Sequence, residues 1–175
     1  MTITLSGFMG CGKSSIGLEL ARMRGCPFLD LDHLIEESEG MSVADIFATK
    51  GEKEFRKIES RVLSEVLSGK MYGDLVLALG GGTTVDKNNA ALVRKESFNV
   101  YLRATEDTLV ENLTGNTDGR PLLKDARDLR SRVASMMEER AVIYAETARL
   151  VADVDGLSFT DAARAVNERL NQLIQ

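Results

Sequence analysis

Residues Gly7 to Ser14 read Gly-Phe-Met-Gly-Cys-Gly-Lys-Ser, a full match to the spacing G-x-x-x-x-G-K-[ST]. A β-branched, apolar stretch from Thr2 to Ser6 precedes it and a helical stretch from Ser14 to Arg24 follows it, the context that this spacing needs. Gly7, Gly10 and Gly12 permit positive φ and close backbone approach, so successive N–H groups converge on phosphate oxygens at a helix N-terminus. Lys13 directs a full positive charge toward β- and γ-phosphates, and the Ser14 hydroxyl suits a hard divalent cation. Nucleotide binding is the expected chemistry.

Three further groups of residues have types and positions that suit group transfer. Asp30 and Asp32 follow an apolar stretch at spacing two, which in extended chain points both side chains to one side. One carboxylate then supports a metal through water and the other receives a proton or hydrogen bond from a substrate hydroxyl; the plainer alternative for Asp32 is a helix N-cap. Gly80-Gly81-Gly82 ends another apolar run, either to let a ligand touch the backbone or as a tight turn. Arg140 falls on the apolar stripe Leu129, Val133, Met136 or Met137, Ile143 or Tyr144. A guanidinium there needs a partner, which is either a carboxylate such as Glu59 or an anionic ligand.

Five short strands must position these groups: Thr2 to Ser6, Pro27 to Leu31, Leu75 to Leu79, Phe98 to Leu102 and Leu150 to Val154. Amphipathic helical stretches lie between them, the pattern of βα units around a parallel sheet. Phe55, Ile58, Val62, Val66 and Leu67 recur at helical spacing from Glu52 to Leu67, with Arg56 at the edge of that face. A last helix starts near the capping pair Ser158 and Asp161. The stretch from Asn112 to Lys124 contains Gly115, Asn116, Gly119 and Pro121 and reads as a mobile loop carrying Arg120.

Composition removes several classes of function. The 175 residues suit one domain, and the longest apolar runs fall far short of the ~20 residues of a bilayer span, with no secretory leader at the N-terminus, so a cytoplasmic protein is expected. Twenty-two basic against 27 acidic residues give a net charge of −5, and aromatics are 5%, which together oppose binding to nucleic acid or anionic membrane. Cys11 and Cys26 lack metal-ligand spacing and are expected to be reduced thiols. His33 reads as a solvated surface residue. A polyanion must therefore be held by oriented amides and a few placed cations. The Asn-Lys-x-Asp segment of a guanine reader is missing, and the strand from Leu75 ends in glycines instead of the acid of a motor ATPase.

With Gly7 to Ser14, Asp30-Leu31-Asp32, Phe55-Arg56-Lys57-Ile58-Glu59, Gly80 to Gly82, Arg120-Pro121-Leu122-Leu123 and Glu139-Arg140 in this order, the chain resembles the shikimate kinase family over almost its whole length. The resemblance implies an α/β fold of three layers, the P-loop kinase fold, with a five-stranded parallel sheet, a substrate-binding helical segment over about residues 32–62 and a mobile lid over about 112–124. It implies transfer of the γ-phosphoryl of ATP to the 3-hydroxyl of shikimate; the composition, for its part, suggests a monomer. ATP would be bound by Gly10, Cys11, Gly12, Lys13, Ser14, Ser15 and Arg120, and Mg²⁺ by Ser14 and Asp30. Arg56 and Arg140 would hold the shikimate carboxylate, with Glu59 orienting Arg56, while Asp32 and the backbone of Gly80, Gly81 and Gly82 take the ring hydroxyls. Lys13, Asp32 and Arg120 would be the catalytic residues.

The chain also departs from the family's pattern. Asn112 or Leu113 stands where many members have an arginine near the adenine, and Cys11 replaces a small alanine or serine, a change expected to be tolerated because the backbone does the binding there, with the sequence leaving open whether thiol reagents reach it. Other readings are a P-loop kinase resembling gluconate kinase, opposed by Phe55-Arg56 and the glycine triplet, and a nucleotide-binding module without catalysis, opposed by the intact Lys13, Ser14, Asp32 and Arg120.

Overall fold

The computed structural model describes residues 1–69, 73–115, 120–123 and 128–174. In chain order the elements are β1 (Thr2–Ser6), α1 (Lys13–Arg24), β2 (Phe28–Asp30), α2 (Leu31–Glu39), α3 (Val43–Ser68), β3 (Leu75–Ala78), a 3₁₀ turn (Thr83–Val85), α4 (Lys87–Glu96), β4 (Phe98–Arg103), α5 (Glu106–Leu113), α6 (Leu129–Thr147), β5 (Leu150–Asp153) and α7 (Phe159–Leu173). The sheet has the order β2-β3-β1-β4-β5, and all four pairings are parallel. The alternation of strands and helices thus gives the expected five-stranded α/β architecture.

Register explains the layers. Thr4 lies opposite Leu77 and Asn99, and Ser6 opposite Tyr101, so these side chains share one face of the sheet. Ile3 and Leu5, opposite Val76 and Val100 respectively through their own partners, occupy the other. Helices α1 and α7 pack together over the Ile3 and Leu5 face, while α3, α4 and α6 cover the Thr4 face. Leu75 and Leu77 of β3 and the Phe55 stripe of α3 form a second core with α2, while Val76 faces the first. Beneath β1 and β4 the buried polar side chains satisfy one another: Thr4 meets Ser97 at 2.8 Å and donates to Asn99 at 3.0 Å, and Asn99 donates to Ser6 at 3.0 Å.

Because β1 is central, the chain moves to β3 and β2 on one side and to β4 and β5 on the other. The crevice at the carboxyl end of β1 is therefore the topological switch point where open α/β sheets bind ligands. Both glycine-rich segments begin there, one after β1 and one after β3.

Three local boundaries differ from the sequence expectation. Strand β2 stops at Asp30, because Leu31 already starts α2, so Asp30 and Asp32 are not alternate residues of one extended segment. The helix expected from Glu52 is the second part of α3, which begins at Val43 behind the Ser42 cap and breaks at Gly51, where φ is 81° and ψ 166°. Helix α5 keeps Asn112 and Leu113, which the punctuation had assigned to the loop, because Leu113 is fully buried against the phosphate loop. Of the expected lid, residues 116–119 and 124 lie outside the described residues. Among the described residues no helix is long and apolar enough to cross a membrane.

Candidate active site

A cleft of about 620 Å³ opens at the switch point, lined by the phosphate loop, both aspartates, Arg56, Glu59, the glycine triplet, Arg120 and Arg140. Residues scattered over more than 130 positions of the sequence thus meet in one place. Lys13, Ser14, Ser15, Gly10 and Gly12 all line it.

The phosphate loop has the backbone that its glycines allow. Gly7, Gly10 and Gly12 have φ of 145°, 83° and 94°, and Gly12 caps α1 without any side-chain hydrogen bond. No acidic residue occupies the first turn of α1, so its amide dipoles meet no competing carboxylate on their own helix. The Lys13 ammonium is folded over the loop, donating to the carbonyls of Gly7 at 2.8 Å and Phe8 at 3.0 Å. Cys11 differs from the other loop residues. Its side chain is 4% exposed and belongs to the core, and its N–H already donates to Phe8 O at 3.2 Å. The Cys11 side chain does not line the cleft, and its sulfur lies 3.9 Å from the Lys13 ammonium.

The aspartates divide their work. Asp30, not Asp32, is the N-cap of α2: its Oδ1 accepts from Asp32 N at 3.0 Å, and its Oδ2 accepts from the Ser14 hydroxyl at 2.5 Å. Asp32 stands in the first helical turn and still faces the cleft. Burial, then the charges of Asp30 and Glu59, push its carboxyl up from the usual range to about 6, with Lys13 opposing them. His33 is exposed beside Glu37 at 3.3 Å and does not line the cleft, as expected for a surface residue.

Arg56 and Glu59 form an ion pair at 2.8 Å across one helical turn, and Glu59 is 1% exposed. The Glu59 carboxylate also accepts from the Thr83 hydroxyl at 2.7 Å. Burial lowers the Arg56 pKa, but the pairing with Glu59, helped by Glu52, outweighs it and holds the guanidinium above its ordinary value. The orienting role expected for Glu59 thus has a geometric basis. Thr83, which fixes Glu59 in turn, was not singled out in the sequence, although its place directly after the triplet could have suggested it.

The glycine triplet shows why glycine is needed. None of the three has positive φ, so conformational freedom is not the reason. A Cβ on Gly80 would lie 2.9 Å from Glu59 Oε1 and 3.1 Å from Asp32 Oδ1, and one on Gly82 would lie 2.7 Å from Arg56 Nη1. At Gly80 and Gly82 the space freed by the missing side chain is taken by the chain's own charged groups, and at Gly81 by Met9. A turn is also present, since Thr83 N donates to Gly80 O at 3.2 Å.

Arg140 is 9% exposed, and among the described residues no carboxylate lies within ion-pair distance of it. Its guanidinium donates to Gly81 O at 3.2 Å. The Glu59 partner considered for it is occupied by Arg56 and Thr83. The Tyr144 hydroxyl, one helical turn farther along α6, donates to the same Gly81 carbonyl at 2.5 Å. Sequence periodicity left Ile143 and Tyr144 as alternatives on this stripe; Tyr144 is the buried one. Arg120, Pro121 and Leu122 line the same cleft, as does Asn112, whose amide donates to Gly10 O at 2.8 Å. Phe47, Val43 and Phe159 complete the wall, and none of them carried a chemical signal in the sequence.

The family model described as shikimate kinase matches residues 9–171. The shikimate kinase of Salinibacter ruber is 41% identical over 89% of this chain and 78% of its own length, and that of Geobacter metallireducens is 41% identical over 94% and 88%. Among solved structures, the shikimate kinase of Acinetobacter baumannii in complex with shikimate superposes with a TM-score of 0.92 at 30% identity, covering 98% of this chain and 93% of that one. A phosphate loop, an acidic pair and two arginines around a glycine triplet at the carboxyl end of the sheet thus coincide with a match along nearly the whole sequence, and the chain belongs to the shikimate kinase family.

Proposed function

We propose that this chain transfers the γ-phosphoryl of ATP to the 3-hydroxyl of shikimate, with Arg56 and Arg140 holding the carboxylate of the acceptor. The observation that carries the reading is Arg140, a buried guanidinium without an anionic partner among the described residues, in the same cleft as the phosphate loop. A buried cation stranded from carboxylates costs several kcal/mol, and a bound carboxylate offsets that cost with bidentate geometry. Arg56, already oriented by Glu59, supplies the second guanidinium. The hydroxyls of the ring then fall to Asp32 and to the backbone of Gly80, Gly81 and Gly82.

Phosphoryl transfer asks the protein for alignment and charge stabilisation more than for covalent chemistry. Lys13 exchanges its loop carbonyls for phosphate oxygens, with the amides of Gly10 and of Gly12 to Ser15 around the same group. Arg120 approaches from the lid and stabilises charge on the transferred group, while lid closure excludes water and so limits wasteful hydrolysis. Asp32 orients the attacking hydroxyl and accepts its proton. A loose transition state asks for little base strength, so alignment is the larger part of this role.

The residues present fit a magnesium ion. Ser14 Oγ and Asp30 Oδ2 are hard oxygen donors 2.5 Å apart at the start of α1. The described residues hold no cluster of three or more metal-binding side chains, as suits an ion that keeps waters and substrate phosphates among its ligands. When bound it would neutralise charge on the β- and γ-phosphates.

A coupled assay of ADP release with and without shikimate tests the proposal. Turnover that depends on shikimate is expected. ADP release that ignores shikimate, or that responds to gluconate instead, would overturn it.

A further inference from the structure

Tyr144 has no place in the contacts assigned above, although its hydroxyl reaches the triplet from below. It is fully buried on α6, its ring packs on Tyr101 with centroids 5.2 Å apart, and its O–H donates to Gly81 O. Burial drives its pKa above the ordinary phenol value despite the neighbouring Arg140, so the hydroxyl remains a neutral donor at any working pH. Arg140 donates to the same carbonyl at 3.2 Å. Two donors one helical turn apart thus converge on one acceptor.

The consequence follows from the planarity of the peptide group. In a trans peptide the C=O of one residue and the N–H of the next point in opposite directions. Anchoring Gly81 C=O toward α6 therefore turns the Gly82 N–H away from α6. Gly82 lines the cleft, and its N–H has no protein partner among the described residues. The second anchor also matters for Arg140. If Arg140 alone held Gly81 O, its guanidinium would have to divide itself between that carbonyl and an incoming carboxylate.

We propose that Tyr144 is a positioning residue for the acceptor substrate: it holds the Gly81 carbonyl so that the Gly82 N–H faces the cleft and Arg140 is left available to the carboxylate. The proposal rests on the shikimate-binding reading above.

The test compares Tyr144→Phe with Thr147→Val in steady-state assays that vary shikimate and ATP separately. Phe keeps the ring against Tyr101 and deletes one oxygen. Thr147 is the control, a second buried hydroxyl of α6 that bonds only to its own helix, at Ile143 O, 2.7 Å away. Y144F is expected to raise the KM for shikimate about tenfold, the loss of one well-placed hydrogen bond, with kcat and the KM for ATP changed by less than about threefold. T147V should leave all three parameters near wild type. A shikimate KM for Y144F within about twofold of wild type would overturn the role, as would an equal rise in T147V, which would mark general loosening of α6. Wild-type protein without shikimate-dependent turnover would overturn the substrate reading and this role together, whereas normal wild-type turnover with an unmoved Y144F removes the role alone.

Discussion

Gly82 and Arg56 compete for one volume: a Cβ built on Gly82 falls 2.7 Å from Arg56 Nη1 and 2.8 Å from its Cζ. The backbone of Gly82, with φ −107° and ψ −3°, is open to any residue, so alanine there carries no conformational strain. Gly82→Ala should therefore fold normally and displace the guanidinium. Since misplacement by about 1 Å of a group that positions substrate can cost on the order of 100-fold, the KM for shikimate should rise about 10- to 100-fold with the KM for ATP unchanged. Initial-rate assays with each substrate varied check this, and an unchanged shikimate KM would detach Arg56 from the acceptor.

Asp32 illustrates a cost in stability carried at the site. Its carboxyl is raised from 3.8 to about 6 by burial and by the charges of Asp30 and Glu59. Below pH 4 the group is protonated in folded and unfolded chains alike, and no difference arises. Between pH 4 and 6 the folded chain keeps a proton that the unfolded chain has lost, so stability declines as pH rises through this window, and above it the full penalty applies. Asp32→Asn removes the charge. In nucleotide-free protein with chelator, urea melts should show the variant more stable than wild type above pH 6 by on the order of 1–3 kcal/mol, with the gap closing near pH 4. The same variant should lose about 10- to 100-fold in kcat, because the amide oxygen of Asn can still accept a hydrogen bond from the attacking hydroxyl but cannot take its proton.

The positions of the chemistry were legible in the sequence where spacing is local. Gly7 to Ser14 required its flanking strand and helix, and β1 and α1 are there; Glu59 sits three residues from Arg56, and the pair forms. What stayed hidden depends on contacts between distant segments. Periodicity placed Arg140 on an apolar stripe without showing that Gly81 O, 59 residues away, would be its neighbour. Spacing two in extended chain predicts that Asp30 and Asp32 point to one side, but Asp30 caps a helix that begins at the next residue, and both aspartates line the cleft by that different geometry. The triplet's sequence allows either a ligand's contact with the backbone or a tight turn, and packing shows the turn, with Glu59 and Asp32 against Gly80 and Arg56 against Gly82.

The two thiols should react in an order set by burial. Cys11 is sealed in the core beneath the phosphate loop, whereas Cys26 is partly exposed after α1. Burial holds the Cys26 thiol above its ordinary pKa, so even this thiol should react slowly at neutral pH and faster as pH rises. Titration with a chromogenic disulfide should label Cys26 first, with ATP turnover preserved, and Cys11 only on unfolding. Rapid labelling of Cys11 in native protein would show that the loop opens.

Arg120 and Arg140 line the same cleft, and the proposed mechanism gives them separable effects. Arg140 meets the acceptor's carboxylate, a charge that does not change during the reaction, so its contribution is made equally in ground and transition states and belongs in KM. Arg120 meets charge on the transferred phosphoryl group, so its contribution is largest in the transition state and belongs in kcat. Arg140→Ala should raise the KM for shikimate by about 100-fold or more, the scale of removing one partner from a buried hydrogen-bonded charge pair. Arg120→Ala should lower kcat by on the order of 100- to 1000-fold with the shikimate KM within about threefold of wild type. Calorimetric binding of shikimate should agree, retained in R120A and lost in R140A. Equal loss of shikimate affinity in both variants would place both guanidiniums on the acceptor and leave the phosphoryl group to Lys13 and the loop amides alone.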